Sequence, residues 1–374
     1  MKLLPCAFLI CCAAVASGQT GDWQIGPFTR PNHGNPVLGP QPLSIFTDPI
    51  LNKPAHWEAL HAFNPAAIVR NGHVFVLYRA EDDSGAMEIG GHTSRLGLAK
   101  SADGMTFTRL PQPVFFPDRD AQQDREWPGG VEDPRLVEAP DGRYILTYTQ
   151  WNRVTYSVGI ATSTDLMHWI KCGPAFGETG RYGYLQYKSA GIVTQPQHGR
   201  LVAAKIRGKF WMYWGEGSIR LASSPDLIHW TPMEDAKGVP IELLRPRAGH
   251  FDSSFPETGP PPVLTPKGIV VLYNGKNAPL GGSPELGPNA YAAGEALFAA
   301  DDPAKLQMQL ESPVLKPELP YEKTGQYAAG TTFAEGLVLF HERWFLYYGC
   351  ADSFVAVTTA PASSGVVAGS AESR

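Results

Sequence analysis

Basic clusters, paired cysteines and metal-ligand spacings are all scarce in this 374-residue sequence. Only 18% of residues are charged, and the formal net charge of −5 includes no basic block or stripe. Nothing therefore recruits the chain to nucleic-acid phosphates or to an anionic membrane surface. Of five cysteines, Cys6, Cys11 and Cys12 crowd the amino terminus, leaving only Cys172 and Cys350, which excludes a disulfide framework. These two read as unpaired buried thiols. The ten histidines are scattered, and no histidine or cysteine pair has ligand spacing, so neither a metal nor a cofactor is expected. There is no glycine-rich phosphate loop and no G-x-S-x-G elbow. The apolar run from Leu3 to Val15 is too short to span a bilayer. With Lys2 before it and Ala16-Ser17-Gly18 after it, it reads as a secretory signal peptide over residues 1–18, so export to the periplasm or beyond is expected.

What the chain has in quantity is glycine and proline, 39 and 34 residues, with 11% aromatics. That is the composition of many short strands joined by tight turns. A strand ending in tyrosine recurs: VFVLY at Tyr78, YILTY at Tyr148, FWMY at Tyr213, IVVLY at Tyr273 and WFLY at Tyr347. Turn segments of one type follow three of them, LGLAKSADGMTF from Leu96, VGIATSTDLMHW from Val158 and IRLASSPDLIHW from Ile219, with a decayed copy from Glu295. The period predicts an all-β fold, a single five-bladed β-propeller over residues 19–374. A large β-sandwich gives no reason for such a repeat. His168-Trp169 and His229-Trp230 are expected to pack between units.

In a radial array, equivalent positions face one another around the axis. Three residues past each tyrosine stand Glu81, Trp151, Glu216, Lys276 and Cys350, and the approaching strands begin with Asn64, Asp133, Lys188 and Glu257. Carboxylates dominate this set, and paired carboxylates are the usual equipment for cleaving a glycosidic bond. Aromatic residues such as Trp151, Trp214 and Tyr291 suit stacking on sugar faces. Each residue also has a bland reading. Glu132 and Asp133 either serve the chemistry or pair with Arg135 to hold a turn, and Arg79 with Asp352 either binds substrate or forms a structural ion pair.

The motifs HAFNPAA at 61–67, VLYRAED at 76–82, GVEDPR at 130–135, LASSPDLIHW at 221–230, GIVVLYNGKN at 268–277 and YYGCADS at 347–353 resemble glycoside hydrolase family 130. That family comprises mannoside phosphorylases and mannosidases on a five-bladed propeller. The resemblance implies that Asp133 is the general acid, acting through the sugar 3-hydroxyl, and that Asn64, Arg79 and Asp352 hold the mannosyl unit. Glu132, Lys188, Trp214, Asn274 and Lys276 are further candidates for substrate binding. In the phosphorylases an arginine follows the strand that here reads FWMYWGEG. This chain has Gly215 and Glu216 there and resembles the branch hydrolysing β-1,2-mannosides, whose two catalytic bases match Glu216 and Glu257. The expected activity is thus inverting, exo-acting release of mannose from β-mannoside oligosaccharides. The alternatives are a phosphorylase with a phosphate site rebuilt from Lys188, Arg207 or Arg245, and a non-catalytic sugar-binding propeller.

Overall fold

The computed structural model describes residues 21–362 apart from Tyr184. The expected signal peptide lies outside the described residues. Among those described, the fold is almost entirely β, with one four-residue helix, Gln123–Glu126, and one short 3-10 turn, Pro320–Glu322. None of these helices is long and apolar enough to cross a membrane.

The repeat read from the sequence corresponds to five successive antiparallel units. The first contains His61–Arg70, His73–Glu81 and Ser94–Ser101; the second contains Gly130–Glu138, Tyr144–Trp151, Tyr156–Ser163 and Ile170–Pro174. The third is built on Ala190–Ile192, Lys209–Trp214 and Ile219–Ser224. The fourth contains Phe255–Thr258, Gly268–Lys276, Tyr291–Ala299 and Asp302–Gln309, and the fifth is Thr332–Phe340, Arg343–Cys350 and Phe354–Pro361. Neighbouring units touch through short parallel pairings, Ser94 with Gly130, Val202 with Glu138, Thr194 with Val263 and Tyr291 with Thr331. The strands form four hydrogen-bonded sheets, none closed on itself. Thr29 and Leu38 bridge to Thr359 and Val355, so the beginning of the described chain lies along the last unit.

The repeated tyrosine has a physical reason. Each ring is buried, and each hydroxyl finds a partner outside its own strand: Glu58 for Tyr78, Glu126 for Tyr148, the Pro303 carbonyl for Tyr213, Asp252 for Tyr273 and the Gly104 carbonyl for Tyr347. A tyrosine thus supplies apolar area in the sheet and pins an outer loop. The Ser-x-Asp turns are likewise one device used three times. Asp103, Asp165 and Asp226 each accept two backbone N–H bonds at 2.7–3.0 Å. Here the sequence reading needs correcting. Trp169 and Trp230 pack inward, but His168 and His229 are exposed and bond back to Asp165 and Asp226. Cys172 is also exposed, and only Cys350 is buried; both are free.

Candidate active site

The first strand of three units carries a bulge near its start. The register shifts at Asn64, at Asp133-Pro134 and at Glu335. Asn64 and Asp133 take left-handed backbone angles, φ 45° and 47°, as does Ser189 at 59° at the matching place in the third unit. An extra residue in one strand re-aims a side chain, which is why bulges gather at active sites. Two glycines make room. A Cβ on Gly349 would lie 2.1 Å from Asn64 Oδ1. Gly215, at φ 114°, lets the chain carry Glu216 alongside Glu257, with which it forms a β-bridge.

Asn64, Asp133, Glu216 and Glu257 line a cavity of ≈ 290 Å³. Its wall includes Asn64, Arg79, Glu132, Asp133, Lys188, Glu216, Glu257 and Asp352, so eight of the eleven candidates from the sequence converge. Trp151, Tyr156, Tyr291, Tyr327, Phe63 and Phe333 supply the apolar faces. The remaining three candidates stand elsewhere. Trp214 is buried against Phe176 and Tyr187 and borders an adjacent cavity of ≈ 260 Å³. The Asn274 amide is spent on both backbone groups of Ala334, at 2.8 and 3.0 Å. Lys276 sits behind the wall, its Nζ 5.4 Å from the Tyr291 ring and 5.8 Å from that of Tyr327.

Two charge clusters line the cavity. In the first, Arg79 contacts Glu81 at 2.5 Å, Glu132 at 2.8 Å and Asp133 at 3.1 Å, so the ion pair with Asp352 that the sequence left open does not form among the described residues. Asn64 Nδ2 also donates to Asp133 Oδ1 at 2.8 Å. Both bonds to Asp133 fall on Oδ1. Burial pushes both acids up, but at Asp133 the nearby Arg79, Lys188 and Arg135 outweigh it and hold the carboxyl low, whereas Glu132 rises to about 7. Burial thus leaves the proton on Glu132 up to about pH 7, while Asp133 beside the same Arg79 stays low. Asp352, although it keeps some surface toward the cavity, is ringed by protein, and burial lifts it to about 7 against the pull of Arg79.

The second cluster centres on Lys188, whose Nζ lies 3.7 Å from Glu216 and 3.8 Å from Glu257. Ser189 Oγ donates to Glu257 Oε1 at 2.5 Å, while Glu257 Oε2 has no protein partner. Burial raises Glu257 to about 7, opposed by Lys188 and assisted by Glu216. A carboxylate so placed, with one oxygen fixed and one free, is equipped to take a proton near neutral pH.

Three contributors were not among the candidate site residues read from the sequence. Arg135 makes no ion pair with the Glu132 or Asp133 side chain. It donates to the backbone carbonyls of Asp133 at 2.9 Å, Thr258 at 2.7 Å and Gly259 at 3.3 Å, tying the Asp133 bulge to the Glu257 strand. Its counterion is the fully buried Glu335 at 2.9 Å, within ion-pair reach but off the hydrogen-bond direction. Burial raises Glu335 far above the usual carboxylate range despite Arg135. Ser189, which holds Glu257, is the third. Glu335 and Ser189 occupy the same repeat position as Asn64 and Asp133, and that equivalence was the available signal.

Comparison with known proteins agrees with this geometry. Residues 33–365 match the family Glyco_hydro_130, described as β-1,4-mannooligosaccharide phosphorylase. A 1,2-β-oligomannan phosphorylase of Thermoanaerobacter sp. (strain X514) is 31% identical over 305 residues, 80% of this chain and 90% of the relative. A glycosyl hydrolase from Bacteroides ovatus superposes with a TM-score of 0.89 at 47% identity, covering 93% of this chain and 98% of that one. A second structure, with a TM-score of 0.89 at 48% identity and coverage of 91% and 95%, is described with the finding that the family of mannoside phosphorylases contains glycoside hydrolases that target β-1,2-mannosidic linkages in Candida mannan. A family match across most of the chain, with its motif residues gathered at one cavity, shows that this protein belongs to glycoside hydrolase family 130.

Proposed function

We propose that the protein is an inverting, exo-acting β-mannosidase that releases mannose from β-1,2-linked mannosides by attack of water. The observation that carries this reading is the pairing of Glu216 with Glu257 around Lys188, with Glu257 Oε2 left unpartnered. Water at that oxygen gives a proton to Glu257 as its oxygen bonds the anomeric carbon. The glycosidic C–O bond breaks on the opposite side, and the leaving oxygen takes a proton that originates at Asp133 and passes through the substrate 3-hydroxyl, the relay implied by the family resemblance. Lys188 keeps both glutamates turned to the same point and offsets their mutual repulsion. Asn64, Arg79 and Asp352 hold the terminal sugar. A cavity of ≈ 290 Å³ is at the small end for ligand sites, which suits one terminal residue.

Phosphorolysis is the second reading, favoured by the 31% identity to an oligomannan phosphorylase. The charge of the cavity weighs against it. Five carboxylates line the wall with two cations, Arg79 and Lys188, each already engaged by carboxylates. Arg207 and Arg245 pair with Asp301 and Glu242 and are absent from the wall. A phosphate dianion would meet repulsion there. The similarity at 47–48% identity to a glycosyl hydrolase and to the structure described with β-1,2-directed hydrolases supports the same choice. The test is a panel of β-1,2-, β-1,3- and β-1,4-mannobiose with and without phosphate. Free mannose from the β-1,2 isomer without phosphate is expected; mannose 1-phosphate would overturn the reading, and binding without cleavage would favour a sugar-binding module.

The five units and the bridges from Thr29 and Leu38 to the last unit support a single five-bladed propeller over residues 19–374. Export after removal of residues 1–18 belongs to the same proposal, and the amino-terminal sequence of the mature protein tests it.

A further inference from the structure

Beside the cavity, and outside its lining, three donors remote in sequence come together. His61, Glu81 and His92 each place one ligand atom within 4.8 Å of the others. His61 and Glu81 are direct cross-strand partners in the first unit, and His92 comes from the connection between His73–Glu81 and Ser94–Ser101. Both rings are already oriented through Nδ1. His92 Nδ1 lies 2.9 Å from the Ser84 carbonyl, which only accepts, so Nδ1 carries the proton and Nε2 presents its lone pair. His61 Nδ1 lies 2.9 Å from Ser353 Oγ, a hydroxyl itself anchored by the Gln326 N–H at 3.0 Å. An outer hydrogen bond that fixes ring and tautomer is the support a metal-binding imidazole needs. The carboxylate is equally constrained: Glu81 is buried, its Oε1 on Arg79 and its Oε2 accepting from Gln326 at 2.9 Å. Around Arg79, the carboxylates Glu81, Glu132 and Asp133 outnumber the single guanidinium. A divalent cation would relieve that excess.

We propose that His61, Glu81 and His92 form a binding site for a divalent cation of the zinc type, which staples the 82–93 connection to the first sheet. Two imidazoles and one carboxylate suit Zn²⁺, with water completing the shell. Contacts of about 2.0–2.2 Å require the three side chains to draw together, and the carboxylate keeps lone pairs for this beyond those used by Arg79 and Gln326. The role is structural. The stapled connection brings Ile89 and Gly90 to the cavity wall, so the ion sets the stiffness of the side of the pocket they form. Sequence spacing conceals the cluster because 31 residues separate the two histidines.

The test uses chelator-stripped protein titrated with Zn²⁺ against a chromophoric competitor, and with Co²⁺ for its visible absorption. One Zn²⁺ per chain, bound with Kd tighter than about 10 μM, is expected. His61→Gln and His92→Gln should each weaken binding by more than about 100-fold, since even outer-shell losses cost about 10–100-fold. Hydrogen exchange of residues 84–91 in the unmutated protein should slow on adding Zn²⁺, a readout independent of whether either variant folds. Uptake that is absent, non-stoichiometric or equally tight in both variants, or loop exchange indifferent to Zn²⁺, would overturn the proposal.

Discussion

Glu257→Gln isolates the proton-accepting step. The amide keeps the size of the carboxylate, and its oxygen can still accept the Ser189 hydroxyl bond of 2.5 Å. What disappears is the ability of Oε2 to take a proton from water. General-base assistance contributes about 10²–10⁴ in rate, which corresponds to about 3–5 kcal/mol of barrier. The loss should appear in kcat, with KM changed by less than about threefold, because the interaction matters in the transition state. The pH profile gives a second handle. Glu257 must be ionised and is raised to about 7, so kcat/KM of the unmutated enzyme falls as pH drops below about 7. The expected profile has an acidic limb near pH 7, which the variant should lose. Initial rates of mannose release from β-1,2-mannobiose in phosphate-free buffer measure both. A variant within about threefold of the parent kcat, or one with an unchanged acidic limb, would refute the assignment of Glu257 as base.

Other substitutions separate roles that the sequence could not. Asp133→Asn should lower kcat/KM by about 10²–10⁴, and a residual rate within tenfold of the parent would remove Asp133 as acid. Asn274→Ala should lower thermal stability by about 1–3 kcal/mol through the unpaired Ala334 backbone while leaving KM unchanged, because the amide serves the fold and not the sugar. A raised KM with unchanged stability would contradict that. Glu295 is fully buried, neither carboxyl oxygen has a full hydrogen-bond partner, and burial raises it to about 8. A carboxyl with a raised folded pKa binds more protons folded than unfolded, so its contribution is complete below the unfolded value and is lost as pH rises toward 8. Glu295→Gln should therefore leave stability at pH 5 nearly unchanged and raise it at pH 8 by up to about 4 kcal/mol, read by denaturant unfolding at the two values. Equal shifts at both would sink that argument.

The repeat was legible because one physical problem recurs in every unit: a buried strand needs an aromatic with a polar end to pin the loop outside it, and the tyrosines answer it five times. The same periodicity located the cavity, since Asn64 and Asp133 stand at equivalent bulges. It could not say which polar groups the fold itself consumes. Asn274 looked like a ligand and is a backbone staple, and Trp214 looked like a sugar platform and packs into the interior. Nor could it show the guanidinium of Arg135 reaching three carbonyls from two units, because that contact spans more than 120 residues. The histidine cluster was hidden for the same reason.

The central claim is that water, positioned by Glu216 and Glu257, attacks the anomeric carbon with inversion. Proton NMR of the first product formed from β-1,2-mannobiose in phosphate-free buffer tests it before mutarotation blurs the result. The account predicts α-mannose as the initial anomer. Initial β-mannose, or no sugar released until phosphate is added, would contradict it.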